Sequence, residues 1–161
     1  MRKYLKDSLG VCPECGAIVK GGRAACQQLF EEILAKQFGD FNYAKEHRLT
    51  VDTYALQHPD TYMKSAKSFA AHLTGLCVAI DAEDKQLINH KVQKWLSTTR
   101  EISRPDPPEP RQRGKLTVQY VHESRNAEEH ITRVRNWAGS AWEAWRDHEA
   151  LAKKWIKEAT T

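Results

Sequence analysis

Ala66-Lys67-Ser68-Phe69-Ala70-Ala71-His72-Leu73-Thr74-Gly75-Leu76-Cys77-Val78-Ala79-Ile80 is the stretch that sets the fold class. Ala66, Phe69, Ala70, Leu73, Leu76, Cys77 and Ile80 recur at intervals of three and four across about four turns, which is the period of an amphipathic α-helix. A stripe of that width has to be covered by other helices, so the flanking sequence is read for partners. On the C-terminal side, about Glu83 to Thr98 makes a further amphipathic helix, with Leu87, Ile88, Val92, Trp95 and Leu96 inward and Lys85, Asn89 and Lys94 in water. On the N-terminal side, about Ala24 to Phe38 places Leu29, Phe30, Ile33 and Leu34 at helical intervals. Gly39-Asp40 stops that helix, and Asp40 or Asn42 can cap the next one, about Tyr43 to Gln57, which His58-Pro59 ends. These two helices form an antiparallel hairpin.

Beyond the fourth helix the segment from Arg104 to Gly114 is rich in proline and reads as a connector, because neither side of it holds a complete core. Leu116-Thr117-Val118-Gln119-Tyr120-Val121 alternates briefly, as an edge strand or a helical turn would. From about Ala127 to Lys157, Ile131, Val134, Ala138, Ala141, Trp145, His148, Ala152 and Trp155 keep the spacing of a seam against partner helices. A helix of ~30 residues spans about 45 Å, long enough to be the spine of a bundle or to reach into a homodimer interface. The expected architecture is mainly α: a bundle of about five helices in a single domain, 1–161. Within it, 1–23 form a zinc-knuckle-like turn, 24–98 hold helices one to four, 99–116 are the connector and 117–161 carry the long C-terminal helix.

With 161 residues, 40% of them apolar and 29% charged, the chain can bury a core and is too apolar for wholesale disorder. Met1-Arg2-Lys3-Tyr4-Leu5-Lys6-Asp7 is not followed by the apolar stretch of a secretory signal, and no segment reaches the ~18 apolar residues of a membrane span. The reading is cytoplasmic, where the four cysteines stay reduced and free to bind metal. A net charge of +4 is a mild excess. The densest basic stretch, Arg111-Gln112-Arg113-Gly114-Lys115, has no aromatics for bases to stack on and reads as a solvated loop, which argues against nucleic acid as the partner.

Near the N-terminus stands Cys12-Pro13-Glu14-Cys15-Gly16. Two thiolates two residues apart, on a turn fixed by Pro and Gly, are half of a tetrahedral metal site. A redox couple of that spacing normally opens a helix after a strand, whereas this one runs into Gly21-Gly22. The hairpin narrows the search for the other half. Cys26 lies ~18 Å along the first helix from the turn at Gly39, so its partner on the second helix must also be far from the turn. His47 is close to the turn and His58 is at the distant end. Cys12, Cys15, Cys26 and His58 are the most economical tetrad, and such a closed set fits a structural zinc. Cys77, on the apolar stripe, reads as a core residue.

His47 and His58 are about 16 Å apart on one helix and cannot share a metal. His72 on the third helix is level with His47, and His148 takes an inward seam position, so His47, His72 and His148 could meet inside the bundle. Three imidazoles with an open position, and Asp52 or Tyr54 to orient a ligand, would suit a catalytic metal. This arrangement resembles that of the three-histidine sites of bacterial DinB-like bundles, without their histidine spacing. The reading preferred here is that His47, Asp52, His72 and His148 satisfy one another as a buried polar network. Trp137, Trp142, Trp145 and Trp155, at seam spacing, read as core filling.

Three segments carry a wider resemblance: Cys12-Pro13-Glu14-Cys15-Gly16-Ala17 with Cys26; His47-Arg48-Leu49-Thr50-Val51-Asp52 through Tyr54 to Gln57-His58-Pro59; and Trp137-Ala138 with Trp142-Glu143-Ala144-Trp145 and His148. Together they resemble an uncharacterised bacterial family, domain of unknown function 5946, over nearly the whole chain. The resemblance implies kinship without an activity, and it singles out Cys12, Cys15, Cys26, His47 and His58 for testing. The functional expectation is a zinc-stabilised helical binding or adaptor module with a protein partner. Its rival is a metal-dependent enzyme built on the second histidine group.

Overall fold

Local capping sets the main boundaries. The Ser65 hydroxyl accepts from the Ser68 N–H at 3.0 Å and starts the central helix, while Asn126 does the same for Glu129 N–H at 2.8 Å, with Glu128 and Glu129 in the favourable first turn. In this computed structural model, which describes residues 10–98 and 101–161, the helices are α1 (Gly22–Gly39), α2 (His47–Gln57), α3 (Pro59–Tyr62), α4 (Ala66–Asp81), α5 (Lys85–Thr98), α6 (Val118–His122), α7 (Ala127–Ala144) and α8 (Glu149–Thr160). Tight 3₁₀ turns at Ala44–Glu46 and Arg146–His148 precede α2 and α8. The fold is mainly helical. Met1 to Leu9, with the basic opening stretch, and the first two connector positions lie outside the described residues.

The helix α4 is the hub. It packs against α2, α5, α7 and α8, while α1 lies against α6 and α2. Phe69, Ala70, Leu73, Leu76 and Cys77 are buried as the stripe requires, but Ile80, at the end of α4, is 40% exposed. The helix α5 sits at the edge of the bundle, packed against α4 and α8. It therefore buries Val92 fully, Ile88, Trp95 and Leu96 by half, and leaves Leu87 exposed. The undecided segment after the connector is helical: Val118 and Val121 of α6 are both buried.

The long C-terminal helix is not continuous. It breaks at Trp145, whose N–H is shared between the Ala141 and Trp142 carbonyls before the chain tightens into Arg146–His148. The indole of Trp145 is fully buried, donates from Nε1 to the Leu56 carbonyl at 3.1 Å, and meets Phe69 edge-on. That anchor fixes the end of α7 against α2, and the turn after it redirects the chain so that α8 can cover α4 and α5. Val134, Ala138, Ala141, Trp145, Ala152 and Trp155 of the seam are buried within the chain itself.

The basic stretch in the connector also departs from expectation. Arg113 is 1% exposed, not solvated. Its Nε donates to the Pro108 carbonyl at 2.9 Å and its Nη2 lies 4.0 Å from Asp60 Oδ2. Polar composition predicts a loop in water, but tertiary contacts seal this one side chain: the connector is pinned at both ends, by Arg104 Nε on the Met63 carbonyl and by Gln57 Nε2 on the carbonyls of Arg113 and Leu116.

Candidate metal centre

The N-terminal knuckle is held by a handful of backbone bonds. Cys12 N–H donates to Ala17 O at 2.9 Å, Gly16 N–H to Cys12 O at 2.9 Å, and Val11 and Ile18 form an antiparallel bridge. Gly16 has φ +83°, which a residue without Cβ adopts freely, so the chain can reverse directly after Cys15. The backbone N–H of Ala17 points at Cys15 Sγ from 3.4 Å. The reversal brings both sulfurs to the same side. From Gly22 onward α1 delivers Cys26 one turn later.

The fourth group comes from the way α2 ends. Pro59 disfavours helical backbone at the preceding residue, and His58 accordingly leaves the helix with φ −133° and ψ 53°. Its N–H slips to the Ala55 carbonyl, and the Tyr54 carbonyl, the acceptor that a continuing helix would have used, is left free. His58 Nδ1 lies 2.8 Å from that oxygen. A carbonyl can only accept, so Nδ1 carries the proton and Nε2 presents its lone pair to the sulfurs, 3.5 Å from Cys26 Sγ and 3.7 Å from Cys12 Sγ.

The ligand atoms of Cys12, Cys15, Cys26 and His58 all lie within 4.8 Å of one another, and each residue is at most 3% exposed. Zinc with Zn–S near 2.3 Å and Zn–N near 2.0 Å at tetrahedral angles sets the S···S edge at about 3.8 Å and the S···N edge at about 3.5 Å. The Cys15–Cys26 separation is 3.7 Å. The group therefore has the dimensions of a tetrahedral site and not of a disulfide, whose sulfurs sit ~2.05 Å apart. Mutual hydrogen bonding among the thiols lowers Cys12 far below the ordinary thiol range. It raises Cys15 and Cys26, chiefly through Cys12, with Cys26 pushed up to about 12. Three thiols this close cannot all ionise unless a cation joins them.

Around the ligands the packing is aromatic and charged. Tyr54 stacks between Phe30 and His58, with centroids 3.9 Å away on each side, and its hydroxyl is 3.4 Å from Cys26 Sγ. Burial, then the neighbouring Cys26, raise the Tyr54 phenol above its usual range, so it stays protonated and able to donate to sulfur. The sequence points to Tyr54 as a group, with Asp52, to orient a ligand at the second histidine cluster, and not as a neighbour of the cysteines. Its spacing of four from His58, on one helix face, was the available signal. Glu14, inside the knuckle, is buried and lies 2.7 Å from Arg23 Nη1.

The second histidine group does not assemble. Among the described residues, His47 Nδ1 donates to Gln37 Oε1 at 2.8 Å, His72 Nδ1 pairs with Asp52 Oδ1 at 2.8 Å, and His148 Nε2 donates to the Asp106 carbonyl at 2.8 Å. Equal height along neighbouring helices does not fix the direction a side chain faces: His47 turns toward α1, and the break at Trp145 carries His148 to the connector. Only Asp52 and His72 of that set touch. Asp52 also meets Arg48 Nε at 3.5 Å, and a Cβ at Gly75 would stand 2.3 Å from Asp52 Oδ2, so the glycine makes room for the carboxylate.

Two buried networks had no signature in the sequence. Thr50 Oγ1 donates to Glu46 O, so it must accept from Gln37 Nε2 at 2.9 Å; the other Gln37 amide hydrogen then faces His130 Nε2 at 3.0 Å. His130 is buried and neutral, its pKa lowered by burial and secondarily by Lys36. Gln57, beside His58, accepts from Trp137 Nε1 at 2.9 Å while its amide holds the connector. Trp137, Trp142, Trp145 and Trp155 are at most 6% exposed and belong to the core.

No helix among the described residues is long and apolar enough to cross a membrane. No curated protein and no solved structure matches the chain. One family model does, over residues 10–146, a span that takes in the four clustered ligands, both buried glutamines and the tryptophans of α7. The chain belongs to that family of unknown function, DUF5946.

Proposed function

We propose that this protein is a zinc-stapled helical binding module, in which Cys12, Cys15, Cys26 and His58 hold one structural zinc that fastens the knuckle to the α1–α2 hairpin. The observation that carries this reading is the buried set of four ligand atoms at tetrahedral spacing, with the histidine tautomer already fixed for coordination. Four protein ligands leave no position for substrate, which makes the metal's role structural. Zinc with three thiolates carries one net negative charge, and the buried guanidinium of Arg113, which feels both Glu14 and Cys15, supplies the opposite sign nearby. A binding role is supported by Phe38 and Phe41, 81% and 82% exposed at the hairpin tip, where aromatic anchors commonly engage a protein partner. The enzymatic alternative required His47, His72 and His148 to converge, and each is engaged separately.

The test is a metal count on protein purified without added metal. One zinc per chain is expected, with near-complete loss in Cys12→Ser and a clear fall in Tm. A wild-type protein free of zinc whose Tm equals that of Cys12→Ser would overturn the reading.

A further inference from the structure

A cavity of about 660 Å³ lies where the knuckle, the connector and α7 meet, and its walls include Gly16, Arg111, Lys115, Thr117 and Ser140. Its size is that of a small-molecule site. The charges around it are unevenly matched. Arg23 faces Glu14, Arg104 and Arg113 face Asp60, and Arg146 holds Glu143 at the rim. Arg111 and Lys115 have no carboxylate partner among the described residues, so two cations enter the cavity uncompensated.

The backbone at Arg111 adds an independent observation. Its φ is +67°, the only positive value at a non-glycine among the described residues. An arginine in the left-handed region is disfavoured by its own Cβ, and glycine would serve there without strain. The conformation is accompanied by Arg111 N–H donating to the Glu14 carbonyl at 2.7 Å, and the arginine stem lies over Gly16 of the knuckle, 3.6 Å from where a Cβ on that glycine would stand. Strained residues cluster at binding sites, and this one stands at the wall of a cavity. The cavity contains no aromatic side chain on which a run of bases could stack, and its cations form a pair and not a track.

We propose that this cavity binds a small phosphorylated molecule of about mononucleotide size, with Arg111 and Lys115 clamping the phosphate and the Thr117 hydroxyl in reach of it. Arginine offers the forked donor set that matches a phosphate, and lysine adds a point charge. The site uses the knuckle as a wall and therefore needs it folded, whichever metal the cysteines hold. Binding is therefore measured on full-length protein whose metal content has been counted, which keeps a failure of the zinc reading distinct from a failure of this one.

Calorimetry with AMP, adenosine and inorganic phosphate is the experiment. AMP is expected to bind, phosphate to bind more weakly, and adenosine not to bind, with AMP affinity falling as salt is raised. Lys115→Ala should weaken AMP at least fivefold. Arg111→Gly should weaken it tenfold or more while the ligand-free Tm stays level or rises by up to about 3 °C, since relief of the left-handed backbone offsets the added freedom of the unfolded chain. The proposal is overturned by wild type that ignores AMP, by adenosine binding as well as AMP, or by both variants binding like wild type. A twelve-residue oligothymidylate that competes with AMP and binds more than tenfold tighter would reassign the surface to nucleic acid.

Discussion

The knuckle and the tryptophan-lined side of the bundle bury their residues by different physics. In the knuckle, Ile18 is 75% exposed and the buried groups are mainly cysteine sulfurs, one alanine and the Glu14 carboxylate, held by a few turn hydrogen bonds. Across the molecule Trp137, Trp142, Trp145 and Trp155 are at most 6% exposed, and each buries roughly 150–250 Å², a gross gain of about 4–6 kcal/mol apiece. On the proposed zinc reading, one region is closed by bonds to a few atoms, and the other is closed by area. The first should fail all at once when a ligand is lost, and the second should lose stability in increments.

The largest effect expected on that contrast is metal removal. A strong chelator, or Cys12→Ser, should abolish protection of the amides in residues 10–21 while the near-ultraviolet circular dichroism of the tryptophans persists at 25 °C. Simultaneous loss of both signals would show that the two regions are one cooperative unit. Next comes Trp145→Ala, which empties a fully buried site and strands the Leu56 carbonyl, at a cost of about 3–5 kcal/mol in urea unfolding. Zinc stoichiometry should be unchanged in that variant; a parallel loss of zinc would erase the distinction between the regions.

Gly75→Ala is expected to be milder, about 1–3 kcal/mol, because the new Cβ displaces a buried carboxylate from its His72 partner. The smallest effect concerns pH. His130 must stay neutral to accept from Gln37, so its folded pKa lies below the unfolded value of ~6.5. Its contribution is complete above pH ~6.5 and is lost as pH falls through the folded pKa, because the unfolded chain takes up the proton first. Thiolate ligands also weaken in acid, so the informative quantity is the difference between His130→Gln and wild type. The variant should lose less Tm between pH 7.5 and 5.5, and an identical loss would remove His130 from the account.

Much of this was legible in the sequence where a local rule applied. Apolar period marks α4, and helix rise alone places His58, not His47, level with Cys26; Cys26 Sγ and His58 Nε2 lie 3.5 Å apart. What escaped depended on tertiary contacts. The seam spacing runs through Trp145 without a Gly or Pro to announce a break, and the break comes from a buried indole reaching Leu56. Arg113 sits in a polar loop by composition and in the interior by contact. Rise per residue gives a histidine's height but not its azimuth, which is why His47, His72 and His148 could be placed on one level and still face three different partners.

The spacing of the ligands has a consequence for synthesis. Cys12 and Cys15 leave the ribosome well before the imidazole that completes their set, which is 46 residues behind Cys12. Until α1 and α2 have both emerged and paired, the nascent thiols stand open to oxidants and to competing metals. Folding of the hairpin is therefore also the event that ends this exposure, and a pause in translation between Cys26 and His58 would prolong it.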